Sequence, residues 1–210
     1  MSANGGSYNY GDPDGSGGEG EPIGADTSAT VAACRSGDPV AAATHLKQEA
    51  SKTGRDINAK PDSNNNEYLA VVYRDASGAL RSSPLIAGGS SVSATPAALG
   101  TTWSNIVGII HNHPSARYCP DPISCQINRN PSSSATVRPG QQSDWDTAEI
   151  AVTNGADPTL LTLYVVGPDR VLRQFAYQNR SSYLPYRSGG VWVVREGPTV
   201  PLNLTPTTCP

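Results

Sequence analysis

Apolar runs of strand length recur along this chain, separated by polar turns that contain glycine or proline. The runs are rich in β-branched and aromatic residues, which favours strands, and they cover residues 67–74, 79–86, 105–114, 159–168, 170–177 and 191–197. The turn Asp75-Ala-Ser-Gly78 joins the first two runs into a predicted hairpin. The runs at 159–168 and 170–177 form a second predicted hairpin through Gly167-Pro-Asp, and helices or loops must connect the remaining runs.

Two stretches predict helices of ordinary length. In the first, Asp38 is a suitable N-cap, a proline follows it in the first helical position, and the pattern fades near Gly54. The second begins at Ser143, another N-cap type, and ends at the Asn-Gly pair of residues 154–155. A short helix is also expected within residues 95–106. This order of elements predicts a single α/β domain with a mixed β-sheet flanked by helices.

The two ends of the chain differ in composition. Residues 1–33 are rich in Gly, Ser and acidic residues and nearly free of aliphatic ones. Such a segment cannot bury enough apolar surface to offset its ordering entropy, so we expect a flexible linker. Residues 34–210 suffice for one domain. Residues 1–33 lack the basic region and the apolar stretch that are typical of a secretory signal, and no apolar run is long enough to span a membrane.

Charge narrows the possible functions. The net charge is −3, the pI is about 5.5, and the 15 Lys and Arg residues are scattered singly. A nucleic-acid-binding domain would concentrate basic residues on one surface. We therefore expect no nucleic-acid partner.

A long irregular segment, residues 115–142, interrupts the pattern and contains the middle two of the four cysteines. Loops of this length inside compact domains are usually functional or disordered. An even cysteine count permits two disulfides, and we expect Cys119–Cys125 and Cys34–Cys209. Four unpaired thiols are the alternative. Disulfides would place the domain outside the reducing cytosol.

Two histidines carry the candidate chemistry. His111 and His113 end an apolar strand, and residues at i and i+2 of a strand point to the same face. Two imidazoles so placed can share a Zn²⁺ ion, which in catalytic sites usually takes a third protein ligand. Asp146, in the first turn of the second helix, is the predicted third ligand. A zinc deaminase is excluded because H-x-E and P-C-x-x-C are both missing.

A hydrolytic zinc site also needs a proton acceptor. Glu67 opens the first strong strand and is the preferred candidate, and Glu149 is the rival. His45 and Trp145 are expected to be structural. Tyr118, in the long segment, is a possible substrate contact.

The chain resembles a known family at these residues. HNHP at residues 111–114 and SDWD at residues 143–146 are similar to the H-x-H-P … S-x-x-D signature of the JAB/MPN superfamily. The active members are JAMM zinc metallopeptidases. The resemblance covers residues 38–175, and it implies a JAB/MPN fold with cytidine-deaminase-like layering. The 29 residues between His113 and Ser143 exceed the family's usual separation, so residues 115–142 look like an insertion beside the site.

The resemblance implies a role for each motif residue. His111, His113 and Asp146 would bind Zn²⁺, Ser143 would stabilise the oxyanion, and Glu67 would be the general base. The reaction would be hydrolysis of a peptide or isopeptide bond. A peptidoglycan stem-peptide hydrolase and a non-catalytic MPN scaffold are the alternatives.

The stretch EYLAVVYRDASG, residues 67–78, is also similar to JAB-like domains at the C-termini of bacterial secreted and polymorphic toxins. This second resemblance implies an effector domain attached to a larger delivery protein. It further implies an immunity protein as a partner, and secretion or delivery to the periplasm of a target bacterium.

Overall fold

A computed structural model describes residues 39–89, 92–139 and 141–205. Its helices are α1 (Pro39–Asn58), α2 (Ser115–Tyr118), α3 (Pro122–Ile127) and α4 (Asp144–Thr153), with 3₁₀ turns at Ala97–Leu99, Trp103–Asn105 and Tyr177–Ser182. Its strands are β1 (Glu67–Arg74), β2 (Leu80–Ser82), β3 (Ile86–Gly88), β4 (Ile106–Asn112), β5 (Thr162–Val166), β6 (Leu172–Ala176), β7 (Tyr186–Ser188) and β8 (Val191–Val193). The predicted linker, the cap at Asp38 and the predicted Cys34–Cys209 pair lie outside the described residues. No helix in the described ranges is long and apolar enough to cross a membrane.

The main sheet has the order β2-β1-β4-β5-β6, and β3 pairs with the same edge of β1 as β2 does. Strands β4 and β5 run parallel, whereas all the other neighbours in this sheet are antiparallel. The strands β7 and β8 form a separate two-stranded sheet. The prediction of one α/β domain with a mixed sheet and helices is therefore confirmed.

Helices cover both faces of the sheet. The α1 face buries one apolar cluster, which includes Leu46, Ala50, Ile57, Tyr68, Val72, Ile110, Tyr164 and Leu172. The α4 face buries a second cluster, which includes Leu69, Val71, Ile109, Trp145, Ala148, Ala151, Leu163, Val165 and Phe175. The central strands are buried on both sides, as strands between helical layers must be. Trp145 belongs to this second core, in agreement with its expected structural role.

Helix α1 continues past the point at which the sequence pattern fades. Gly54 lies inside it, where a β-carbon would approach Leu202 to 3.0 Å and Leu172 to 3.3 Å. The missing side chain gives these leucines room, and the fully buried Ile57 one turn later holds the end of the helix on the sheet. Close packing thus offsets the low helix propensity of glycine.

Two other elements also differ from the predictions. The apolar run at residues 191–197 contributes only β8, outside the main sheet. The expected short helix within residues 95–106 is a pair of 3₁₀ turns. Each of these elements is only three residues long.

The C-terminal segment pairs along β6. The Gln174 amide donates to the Pro198 carbonyl at 3.0 Å, and the Val200 amide donates to Leu172 at 2.8 Å. Gly197 lies at the closest approach, where a β-carbon would be 2.5 Å from the Gln174 carbonyl oxygen and 2.6 Å from the Phe175 ring.

We expect Gly197→Ala to lower the free energy of unfolding by about 1–3 kcal/mol, the usual cost of overpacking. The added methyl group must push the segment away from β6, so the urea midpoint should fall. Gly89→Ala is the matched control, because a β-carbon there would meet nothing within 4 Å. Equal midpoints for the two variants would show that this pairing contributes little to stability.

Candidate metal centre

The pleat of two paired strands brings three functional side chains to one face. Leu69 of β1 pairs with His111 of β4, and continuing this antiparallel register by two residues places Glu67 opposite His113. Because side chains alternate along a strand, Glu67, His111 and His113 all point towards the α4 side of the sheet. The register therefore places these three residues on one face of the sheet.

Asn112, between the histidines, points to the opposite face of the sheet, and its side chain links the end of β4 to the start of β1. Its side-chain oxygen accepts the Tyr68 amide at 2.7 Å, and its amide nitrogen donates to the carbonyls of Ser63 and Asn66 at 3.0 and 3.1 Å. The His113 amide donates to Val166 at 3.0 Å and extends the pairing with β5. The histidine pair is therefore held on both sides by fixed backbone.

The side chains of His111, His113 and Asp144 converge on one point. The two Nε2 atoms lie 3.1 Å apart, and each lies 3.2 Å from Asp144 Oδ2. Both histidines are buried. Within the described ranges, this is the group of histidine, cysteine and acidic side chains that can hold a metal ion.

The triangle has the dimensions of a metal site. His113 Nδ1 lies 2.7 Å from the Asn128 carbonyl oxygen, which can only accept, so Nδ1 carries the proton. Nε2 is then the His113 atom that faces Asp144 Oδ2, in the position of a metal ligand. Zinc bonds of about 2.0–2.1 Å in a tetrahedron place ligand atoms about 3.3 Å apart, close to the three separations observed.

Electrostatics favours the charged form of the carboxylate. Burial raises the pKa of Asp144, but the two imidazoles outweigh it and hold that pKa well below its usual range. Burial lowers the pKa of His111, whereas the nearby carboxylates of Asp144 and Glu67 raise it, with a net upward shift. A concentration of negative charge thus surrounds the two imidazoles, as a divalent cation requires.

The third member of the group differs from the predicted one. Asp146 does not face the histidines but completes a capping box at the start of α4. Its Oδ2 accepts the Ser143 amide at 2.9 Å, and Ser143 Oγ accepts the Asp146 amide at 3.2 Å. The structure thus groups Asp144, not Asp146, with the histidines. Two residues along an α-helix differ by about 200° in direction, so both carboxylates cannot face the same point.

Glu67 is buried at the edge of the group. Its Oε2 accepts the Val92 amide at 2.9 Å, and its Oε1 accepts the Tyr118 hydroxyl at 2.6 Å. Asp144 is the main cause of the raised pKa of His111, and the charge of Glu67 adds to it. The rival Glu149 instead accepts a hydrogen bond from Tyr177 and lies 3.5 Å from Arg180, with a side chain that is 55% exposed. The structure therefore places Glu67, and not Glu149, beside the two histidines.

The long segment at residues 115–142 supplies contacts that the sequence did not reveal. It contains α2 and α3, and a disulfide between Cys119 and Cys125 links them, as predicted. The Tyr118 ring stacks on His113 with centroids 4.8 Å apart. Ser132 contacts Asp144 through both its amide and its hydroxyl. Nothing in the local sequence marks Ser132 or Asn128, because their roles depend on long-range folding.

Comparison with family models, with curated proteins and with solved structures finds no match to this chain. Any chemistry assigned to the centre therefore depends on the residues of the chain itself.

Proposed function

We propose that this chain is a zinc-dependent hydrolase of the JAB/MPN (JAMM) type that cleaves a peptide or isopeptide bond. The observation that carries the proposal is the triangle of His111, His113 and Asp144 beside the buried carboxylate of Glu67. His111 and His113 would hold the ion as the motif resemblance implies. The geometry favours Asp144 as the third ligand in place of Asp146.

Each residue has a definite task in this mechanism. When bound, the metal would act as a Lewis acid and lower the pKa of a water molecule. Glu67 would take the proton from the attacking water and deliver it to the leaving nitrogen. Ser143 Oγ accepts the Asp146 amide, and no acceptor for its O–H is found within the described part of the chain. The motif resemblance implies that this proton would stabilise developing charge on a substrate oxygen.

The site favours hydrolysis over oxidation. Two histidines and one carboxylate are also the ligand set of non-haem iron oxygenases. An oxygenase, however, needs no carboxylate base on the shared face of the sheet. Glu67 occupies that position here, and its two hydrogen bonds fix both of its oxygens.

The disulfide supports a location and a substrate class. A Cys119–Cys125 bond persists in oxidising surroundings such as the periplasm or the extracellular space. Substrates there include envelope proteins and the stem peptides of peptidoglycan. We propose that the chain acts in that compartment as the effector domain of a secreted protein, with a delivery protein and an immunity protein as partners.

Metal analysis and a substrate panel test this proposal. We expect about one zinc per chain by elemental analysis of protein purified without added metal. The zinc-loaded protein should cleave at least one of three substrates: purified peptidoglycan, a denatured protein, or an isopeptide-linked conjugate. The chelator-treated protein is the control and should cleave none. Iron in place of zinc, or no cleavage by fully loaded protein, would contradict the proposed function.

A further inference from the structure

The segment Ser115–Ser132 contacts three residues of the candidate centre: His113, Asp144 and Glu67. Three of its residues make these contacts, and two of the three reach His113. The segment could have been a cover that lies over a complete site. Its hydrogen bonds show instead that it forms part of the site's framework.

Ser132 holds the carboxylate of Asp144 from two directions. Its amide donates to Asp144 Oδ2 at 2.6 Å, and its hydroxyl lies 2.8 Å from the same oxygen. The Asp144 amide also lies 3.0 Å from Ser132 Oγ. The oxygen that Ser132 holds is the one that faces both histidines, so these bonds direct the carboxylate at the proposed metal position.

Asn128 performs the same task for His113. Its carbonyl accepts the Nδ1 proton at 2.7 Å, which fixes the ring orientation and leaves Nε2 as the ligand atom. Its side-chain amide donates to the carbonyls of Tyr118 and Ser124, both at 2.9 Å. Asn128 thereby ties its own backbone to the helices that the disulfide joins.

Tyr118 is the third residue of the segment that contacts the site, and it reaches the proposed base, Glu67. It stacks on His113 and donates to Glu67, and it is followed directly by Cys119. The Cys119–Cys125 bond therefore closes a short loop whose two flanks, Tyr118 and Asn128, both contact His113. Loss of this bond would release both flanks together.

We propose that the segment Ser115–Ser132 is an integral part of the metal centre. Ser132 and Asn128 are its positioning residues: Ser132 orients Asp144, and Asn128 orients His113. Metal affinity then depends on the Ser132 hydroxyl and on the Cys119–Cys125 bond. This inference rests on the proposed metal site, but it does not depend on which substrate is cleaved.

Zinc affinity and the visible spectrum of the Co²⁺-loaded protein test the proposal. We expect Ser132→Ala to weaken Zn²⁺ binding by about 10–100-fold, the usual effect of losing an outer-shell partner. Its Co²⁺ absorption bands should also shift, because the carboxylate is no longer held in one orientation. Ser132→Thr, which keeps the hydroxyl, should restore both values. Ser124→Ala is the matched control within the same segment, since the Ser124 hydroxyl bonds to Asp121.

The double variant Cys119→Ser and Cys125→Ser tests the loop without a thiol reductant, which would itself bind the metal. We expect weaker Zn²⁺ binding with the sheet intact by circular dichroism. If this variant does not fold, Ser132→Ala and Ser132→Thr still decide the question. Wild-type affinity in both Ser132→Ala and a folded double variant would overturn the proposal. Weakened binding in a chain that cleaves no substrate would support this inference and contradict only the proposed function.

Discussion

Replacement of Glu67 by glutamine is expected to lower kcat by about 10²–10⁴-fold, the usual contribution of a general acid–base group. Glutamine has nearly the same shape but cannot take a proton from water. Its carbonyl oxygen can still accept the Val92 amide, and the Tyr118 hydroxyl can rotate to accept from the new amide group. We therefore expect unchanged zinc content by elemental analysis and an unchanged melting temperature. Activity is measured on the substrate that the panel identifies.

Glu149→Gln is the matched control for this variant. The side chain of Glu149 is more than half exposed and engages Tyr177 and Arg180, so its loss should leave kcat unaltered. Full activity in Glu67→Gln together with a large loss in Glu149→Gln would show that Glu149 of α4 is the base. Full activity in both would show that neither carboxylate accepts the proton.

The main strands and the two long helices of this fold could be predicted from the sequence because their signals are local, whereas the short α2, α3 and β7 could not. The run at residues 67–74 is rich in β-branched and aromatic residues and forms a strand that is buried at its first six positions, and the turn after Asp75 fixes its hairpin. Helix α4 begins and ends at the capping residues that the sequence marks, Ser143 and Asn154. The end of α1 was misjudged because the packing that sustains it, Leu172 and Leu202 on Gly54, comes from the far end of the chain.

The candidate centre could likewise be predicted only in part. The pleat of β4 predicts that His111 and His113 share a face, and the register with β1 adds Glu67 to it. The choice between Asp144 and Asp146 was not available from sequence, because both lie in the first turn of α4. Ser132, twelve residues before Asp144, decides it through hydrogen bonds that no sequence pattern announces.

The largest effect on metal binding is expected from Asp144→Asn. The substitution keeps the shape of the side chain but removes the charge that faces both imidazoles, each 3.2 Å away. The loss of Zn²⁺ affinity should exceed the 10–100-fold that removal of an outer-shell partner causes. Competition with a chromophoric chelator measures it, and thermal unfolding of the metal-free protein reports any separate loss of stability.

Asp146→Asn is the matched comparison, since the two aspartates lie two residues apart on one helix. Asparagine at position 146 can still accept the Ser143 amide, so the capping box should survive. Only the charge near the helix N-terminus is lost, which should cost about 0.3–1 kcal/mol of stability. We expect Zn²⁺ affinity to stay at the wild-type value. The opposite pattern, with metal lost in Asp146→Asn and kept in Asp144→Asn, would restore the ligand set that the S-x-x-D motif implies. It would also require α4 to turn by roughly half a revolution when the ion binds, because the two side chains point about 200° apart.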